Sequence, residues 1–552
     1  MPVSPAHSSP ERVGPLKSRR GCKTCKIRKI KCGEEKPSCR RCIISKFTCE
    51  YSNPTTNSYG YASASSTASI LDCPVSIYPG TVWRERRAFA YYFQHAAPYL
   101  AGGFDRDFWR TVIPQICRTE PAVWDAVNAI STLFETPEMC LDFVFLSLRH
   151  EKSPALKQNQ KEALGWYSRS LTKVRTEIDR GNIDVLVALV SCVLFVCIEM
   201  VQGHVEEALQ LYNQGTKLIL DLRAKKNAPA EVGLLEDTIV PLFIRLGTAA
   251  LTISGVPVCD LFSEIDTQRI FNFTSLESAR DAIVPLAAET LVLQKETGRN
   301  PFIGVELQVT PELLAKQCRL QERLTHWYHA YTHFMEKSHH KSPPPDDNTS
   351  IPALLLAYHT TLHILISTCL SHSESIYDMY LSSFTLIVEQ ASIALNASAN
   401  PDGSQPAFTF ELGVGLPLVW TAMKCRELSV RRRALELLQK APPLQGFYKC
   451  APGTMLATKV MQLEEMFSRH ILLNAISTPG DDNLKITTIH EEARIQDYCI
   501  FLPHYQPFLL GPHDVSGWGR GSEQLFMRFS RNRRIPGKDG GWCLSDECVP
   551  MD

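Results

Sequence analysis

Residues 21–51 read GCKTCKIRKIKCGEEKPSCRRCIISKFTCEY and hold six of the chain's 19 cysteines. Their spacing is C-x2-C-x6-C-x6-C-x2-C-x6-C, which is one unit, C-x2-C-x6-C, written twice with an offset of 17 residues. The other 13 cysteines are scattered without paired spacing. A regular cysteine array of this kind is typical of a metal site or of a disulfide framework.

Structural zinc takes four tetrahedral ligands per ion, so two independent ions would need eight thiolates. Six suffice if two thiolates bridge both ions, and the tandem symmetry predicts that the bridges are equivalent residues of the two halves. A disulfide knot and a single four-cysteine zinc site are the alternatives. Residues 1–14 contain no apolar stretch typical of a signal peptide, so we expect a reducing compartment, where clustered cysteines bind metal.

Charge is concentrated in the same segment. Residues 17–49 carry twelve basic and two acidic side chains, a net +10, while the whole chain balances 58 Lys+Arg against 58 Asp+Glu. Four of the six residues between Cys25 and Cys32 are basic, and Ile27 and Ile30 stand three apart. We predict a short helix whose isoleucines face the metal core and whose cations face outward, toward DNA phosphates and guanine edges in the major groove.

These residues resemble the binuclear zinc cluster of fungal Zn2Cys6 transcription factors. The cysteine spacing matches, as do the C-K-x-R-K-x-K-C core and Pro37 in the loop between the halves. The resemblance implies two Zn²⁺ bridged by Cys22 and Cys39. One ion would take Cys22, Cys25, Cys32 and Cys39, and the other Cys39, Cys42, Cys49 and Cys22.

The resemblance also implies that the cluster reads CGG-like triplets in the major groove. Lys29 is then the expected base reader, with Arg28 beside it. The expected phosphate contacts are Lys26, Lys31 and the arm formed by Arg19 and Arg20. Many members of this family continue into a coiled coil, but residues 52–80 show no heptads. Monomeric binding and a homodimer formed through the rest of the chain both stay open.

The chain as a whole is predicted to be mostly α, with a small N-terminal Zn2Cys6 cluster joined by a flexible linker to a large all-α regulatory domain. We expect a disordered N-terminus at 1–16, the DNA-binding domain at 17–51, a linker at 52–80 and the helical domain at 81–480. Residues 481–552 have no clear pattern. The segments 104–109 (FDRDFW) and 120–130 (EPAVWDAVNAI) also resemble the fungal-specific regulatory domain.

Helical periodicity supports this division. The run at 185–198 is apolar all round, shorter than the about 20 residues of a membrane span, and is predicted to be a central core helix of a chain that does not enter membranes. Further helices are expected at 120–135, 167–178, 205–219, 239–252, 311–337, 351–371, 376–395 and 418–439.

The sequence therefore predicts a nuclear, zinc-dependent, sequence-specific DNA-binding transcription factor of RNA polymerase II genes. Its expected partners are double-stranded DNA and the transcription machinery or co-regulators, and a small-molecule effector stays open. No Walker loop, dinucleotide fingerprint or nucleophile elbow is present, so we expect no enzyme activity. The alternative is an enzyme or scaffold protein tethered to DNA by the cluster, which a buried polar cluster with shifted pKa values in a body cavity would favour.

Overall fold

The computed structural model divides the chain into two compact units, Met1–Cys73 and Pro74–Asp552. The predicted segments 1–16 and 52–80 lie outside the residues that it describes. The described residues are 22–28, 30–36, 38–45, 48–49, 83–102, 104–135, 157–182, 184–225, 235–252, 261, 271–297, 309–341, 349–371, 373–411, 413–475, 488–503, 506, 509, 524–534 and 542–551.

The first unit contains two short helices, α1 (Lys23–Ile27) and α2 (Arg40–Ile44). Each begins directly after a cysteine with extended backbone, Cys22 in one case and Cys39 in the other. The two helices are offset by 17 residues, as the cysteine pattern is. The sequence repeat is therefore also a structural repeat.

The second unit opens with α3 (Trp83–Tyr91), α4 (Ala97–Ala101) and α5 (Ile113–Ile116), interrupted by π-helical turns at Tyr92–Ala96 and Phe108–Val112. It continues with α6 (Pro121–Glu135), α7 (Gln158–Asp179), α8 (Val185–Gln202), α9 (Val205–Lys225), the π-helical turn Leu235–Ile239 and α10 (Val240–Leu251). The side chains of α8 from Leu189 to Val201, except that of Cys192, are buried in the first apolar core. The prediction of a central helix is confirmed.

Local chemistry fixes both ends of α8. The Asp184 carboxylate accepts a hydrogen bond from the Leu186 N–H at 2.8 Å, which caps the start of the helix. Gly203 ends it with φ +84°, in the left-handed region that glycine adopts without a Cβ clash. A two-residue connection then leads into α9.

Further helices in the described residues are α11 (Leu276–Thr297), α12 (Pro311–Lys341), α13 (Ser350–Thr368), the 3₁₀ helix Glu374–Tyr380, α14 (Leu381–Ser398), α15 (Gly415–Lys424), α16 (Leu428–Lys440), α17 (Cys450–Ala475) and the 3₁₀ helix Glu491–Ala493. The single helix predicted at 418–439 is wrong, because the chain leaves the helix at Cys425 and begins a new one after Glu427. The helices α11 and α17 had no counterpart in the sequence prediction.

The described residues of the second unit also include six strands. Within the predicted all-α region, β1 (Phe408–Thr409), β2 (Leu444–Gln445) and β3 (Tyr448–Lys449) form a small sheet. The C-terminal segment, for which no structure was predicted, contains β4 (Ile495–Phe501), β5 (Phe526–Arg534) and β6 (Trp542–Pro550) in antiparallel order. Ile495, Met527 and Phe529 pack with α15, α16 and α17 in the second core.

Two described helices, α8 and α13, are long and apolar enough by length and composition to cross a membrane. Of the apolar windows in these two helices, 72% and 67% are buried inside the fold. Mostly buried apolar helices are also what the core of a large globular unit requires.

Candidate metal centre and nucleic-acid interface

The two cysteine half-sites share one backbone contact, and the first half has a helix cap in addition. Cys22 Sγ accepts a hydrogen bond from the Cys25 N–H at 3.4 Å, so the first thiol caps α1. The Cys22 N–H in turn donates to Cys32 Sγ at 3.3 Å. In the second half the Cys39 N–H donates to Cys49 Sγ at 3.2 Å, which is the same contact 17 residues on.

The sulfur atoms form two interleaved groups. One group is Cys22, Cys25, Cys32 and Cys39, the other is Cys22, Cys39, Cys42 and Cys49, and within each group all four sulfurs lie within 4.8 Å of one another. The Cys22 and Cys39 sulfurs are 3.7 Å apart, and those of Cys25 and Cys39 are 3.6 Å apart. Zinc–sulfur bonds of about 2.3 Å in a tetrahedron put the sulfurs about 3.8 Å apart, so these residues fit two zinc ions.

The electrostatics of the cluster also favour cations. Burial raises the pKa values of the Cys25 and Cys42 thiols, because a thiolate without a counter-charge is destabilised away from water. Six thiolates in contact would repel one another. Bound divalent metal removes both penalties, and the domain takes two zinc ions as its cofactors.

Three polar contacts hold the two halves together. Thr24 Oγ1 donates to the Thr48 carbonyl at 2.7 Å, and Arg28 Nη2 lies 3.5 Å from Ser45 Oγ, at the end of α2. In the connecting loop, the Arg40 N–H donates to the Glu35 carboxylate at 3.0 Å, and this bond lowers the Glu35 pKa. The loop therefore helps to fix the start of α2.

The described basic residues lie mostly on the surface. Lys26 and Lys31 are exposed, whereas Arg28 is half-buried beside Ser45. Exposed Arg40 and Arg41 extend the cationic surface onto α2. These two residues were not among the DNA contacts predicted from the sequence. Three of the predicted DNA contacts, Arg19, Arg20 and Lys29, lie outside the described residues.

The expected orientation of the isoleucines is wrong. Ile27 is 72% exposed and Ile30 is 36% exposed. The helix α1 has only five residues and ends before Ile30. Among the described residues of this unit the buried side chains are those of cysteines, whose sulfurs occupy the place expected for the isoleucines. The isoleucines instead share the surface with the cations.

The core of the second unit is not purely apolar. Glu464 is fully buried and lies 2.8 Å from the guanidinium groups of both Arg426 and Arg431. Glu374 pairs with Lys424 at 2.7 Å in the same network. Arg280 pairs with Glu411 at 2.7 Å in a separate network. Each of these three buried carboxylates therefore has a cationic partner, which is the arrangement of a structural ion-pair network.

Among the described residues, the groups of His, Cys, Asp or Glu close enough to hold a metal ion are the two cysteine sets. The only metal centre indicated in this part of the chain is therefore the cluster that the cysteine spacing predicts. The ion-pair networks of the second unit lack the converging ligand atoms of a metal site.

Comparisons with known proteins agree with this site. The family model described as the fungal Zn(2)-Cys(6) binuclear cluster domain matches residues 20–58. The Aspercryptin biosynthesis cluster-specific transcription regulator atnN of Emericella nidulans is 22% identical over 552 residues, covering 81% of this chain and 88% of that protein. The transcription regulator lscL of Purpureocillium lilacinum is 23% identical, covering 64% of this chain and 87% of its own.

A Zn(2)-C6 fungal-type transcription factor of Gibberella zeae is 49% identical over 45 residues, covering 8% of this chain and 9% of that protein. No solved structure matches the chain. The similarity is thus strongest in the cysteine-rich segment and extends weakly through the helical unit. The chain therefore carries the fungal Zn(2)-Cys(6) binuclear cluster domain, and the resemblance of residues 21–51 to that cluster is confirmed.

Proposed function

We propose that this protein is a nuclear, zinc-dependent transcription factor that binds specific DNA sequences at RNA polymerase II genes. The observation that carries the proposal is the pair of interleaved four-cysteine sets next to an exposed basic segment. A metal-stapled unit of this size has little apolar core of its own, so its use lies in presenting that surface. The similarity to transcription regulators along most of the chain supports the same assignment.

The six cysteines Cys22, Cys25, Cys32, Cys39, Cys42 and Cys49 are the proposed zinc ligands, with Cys22 and Cys39 bridging. Membership of both four-sulfur groups supports the bridging role of these two residues. Sulfur separations close to a tetrahedral edge support the ligand assignment.

The segment that follows Cys25 is proposed to make the main contacts with DNA. Lys29 contacts bases of a CGG-like triplet with Arg28 beside it, while Lys26, Lys31, Arg19 and Arg20 neutralise phosphates. The exposure of Lys26 and Lys31 supports phosphate contacts. Arg28 lies near Ser45, so its base contact would need the side chain to leave the second half-site.

The helical second unit is the proposed regulatory part, with 81–480 as its helical domain, and it acts on co-regulators or the transcription machinery without enzymatic activity. An enzyme tethered to DNA is the alternative. The buried charged networks are the feature that could favour it, but their carboxylates are paired with Arg or Lys, which suits a structural role better than acid–base chemistry.

The decisive experiment measures binding of the zinc-loaded full chain to a duplex with a CGG triplet and to a scrambled duplex. Lys29→Ala should weaken CGG binding about 5- to 100-fold, as loss of one base contact does, and affect the scrambled duplex less. Lys31→Ala is the matched control and should weaken both duplexes alike. Equal losses in Lys29→Ala would make Lys29 a phosphate contact, and equal wild-type affinity for the two duplexes would contradict sequence-specific binding.

A further inference from the structure

The second unit contains a cavity of about 250 Å³ between the end of α4 and the first turn of α13. The end of α14 and the segment between β1 and α15 form its other walls. Tyr99, Leu395 and Phe104 line it, and these three residues pack with the first, second and third apolar clusters of the unit respectively. A molecule in this cavity would therefore touch all three cores.

The walls of the cavity are mainly apolar. Pro98, Phe104, Ile351, Leu354 and Val414 contribute aliphatic or aromatic surface. Small-molecule sites in proteins have this composition, with a few polar groups that fix the orientation of the ligand. The apolar lining supplies the affinity, so the polar groups decide which ligands are accepted.

Two charged residues line the cavity, the exposed Arg106 and the buried Glu411. Glu411 is 7% exposed, and its Oε1 accepts a hydrogen bond from Arg280 Nη1 at 2.7 Å. The Arg280 guanidinium lies over the Phe104 ring, 4.2 Å from its centroid. Gly102 has φ +52°, and a Cβ there would lie 3.2 Å from Glu411 Cγ, so the backbone packs closely against the carboxylate side chain. The position of Glu411 is therefore fixed in advance of any binding.

Behind the wall, Glu411 belongs to a network of ion pairs. Arg280 and Arg245 face three carboxylates, those of Glu411, Asp105 and Asp281. Asp105 lies 3.3 Å from Arg280 and 2.5 Å from Arg245, so both cations are already shared. Within this network three carboxylates face two guanidinium groups, and Arg106 on the lining is a third, exposed cation. A ligand group next to Glu411 is thus favoured if it donates a hydrogen bond and disfavoured if it is an anion.

We propose that this cavity binds a small, mainly apolar molecule whose hydroxyl or ammonium group donates a hydrogen bond to Glu411. The site is separate from the zinc cluster and goes beyond the DNA-binding function. A bound molecule would contact residues of all three apolar clusters across the cavity. Because it binds the folded state, it would stabilise the second unit by mass action.

The test is fluorine NMR on the full zinc-loaded chain with three probes of one shape. We expect 4-(trifluoromethyl)benzyl alcohol or 4-(trifluoromethyl)benzylamine to bind saturably with a Kd of about 1 mM or tighter. The comparator, 4-(trifluoromethyl)benzoate, lacks a donor and should bind at least about tenfold more weakly. The better of the first two identifies the donor as neutral or charged. Failure of both to saturate, or equal binding of all three, would overturn the proposal.

Two variants place the site. Ala397 is exposed and lines the cavity, so Ala397→Phe should obstruct its mouth and abolish saturable binding. Its neighbour Asn396 is exposed and outside the lining, so Asn396→Phe is the matched control and should bind like the wild type. Glu411→Gln should weaken the benzylamine about tenfold or more. Unchanged binding in Ala397→Phe would disprove this location. This test does not depend on whether the Glu411→Gln variant folds.

Discussion

At the residue scale, the cysteines differ in how many sulfur groups they join. Cys22 and Cys39 each begin a half-site, and each belongs to both four-sulfur groups, whereas Cys49 belongs to one. If both groups hold zinc, loss of a shared sulfur leaves two ions with three ligands each. Loss of an unshared sulfur leaves one ion complete.

We therefore expect Cys39→Ala to lose both zinc ions and Cys49→Ala to keep one of two. The control Cys318→Ala changes an exposed cysteine of α12 and should keep both. The number of zinc ions per chain after gel filtration, measured by elemental mass spectrometry, distinguishes these cases. One ion retained in Cys39→Ala would argue against a bridging role for Cys39.

A second residue-scale prediction concerns His204 in the turn between α8 and α9. Its Nδ1 lies 2.8 Å from Glu199 Oε2, and this hydrogen bond raises the His204 pKa. The stabilisation is complete below the unfolded-state pKa of about 6.5 and is lost as the pH rises through the folded-state pKa. His204→Gln should therefore lower the free energy of unfolding in urea at acidic pH and change it little at alkaline pH. A deficit that grows with rising pH would contradict the ion pair.

At the element scale, two glycines inside helices should respond oppositely to alanine. A Cβ at Gly215 in α9 would lie 2.5 Å from Phe243 Cε1 and 2.9 Å from Cys192 Sγ. A Cβ at exposed Gly165 in α7 would meet nothing within 4 Å. Gly215→Ala should lower the free energy of unfolding by about 1–3 kcal/mol through overpacking. Gly165→Ala should raise it by up to about 1 kcal/mol. Equal effects in chemical denaturation would show that α9 has room to shift.

Sequence periodicity predicted the helices that have one apolar side. It failed where buried charged residues, proline or glycine interrupt the apolar pattern. The sequence pattern of segment 418–439 predicts one continuous helix, whereas the structure has two. Arg426 lies in the break between these helices, and its side chain donates a hydrogen bond to Glu464 in the buried network. That contact links the connection between α15 and α16 to α17, and the local sequence does not reveal it. Similarly, α11 was not predicted because Pro285 lies inside it, and α17 was not predicted because it begins with the sequence Cys-Ala-Pro-Gly.

The Arg426–Arg431–Glu464 network should be a strong determinant of stability, because its three side chains are almost completely buried. Glu464→Gln would leave two guanidinium groups without their shared counter-charge, and we expect a loss of about 3–5 kcal/mol in the free energy of unfolding. The adjacent Glu465 pairs with the mostly exposed Arg432, so Glu465→Gln is the control, with a loss below about 1 kcal/mol. Similar losses in the two variants, measured by urea titration, would contradict this ranking.

At the scale of the whole molecule, composition is misleading until the chain is divided. The charge sums to zero, yet residues 17–49 carry +10 and the remainder therefore −10. The cysteine spacing shows where to divide it, because metal-ligand geometry demands fixed positions that an apolar core does not. The same reasoning could not locate the cavity beside Glu411, whose walls come from segments over 300 residues apart and depend on tertiary packing.

The two units are stabilised by different interactions, so removal of zinc should affect them differently. The first unit has two helices of five residues around sulfur atoms, whereas three extended apolar clusters stabilise the second. Chelation with EDTA should therefore unfold the first unit and abolish DNA binding, while the far-ultraviolet circular dichroism of the full chain falls only slightly. Added zinc should restore binding to the CGG duplex. A large loss of helical signal, or a lowered melting temperature of the main transition, would mean that the second unit also depends on metal.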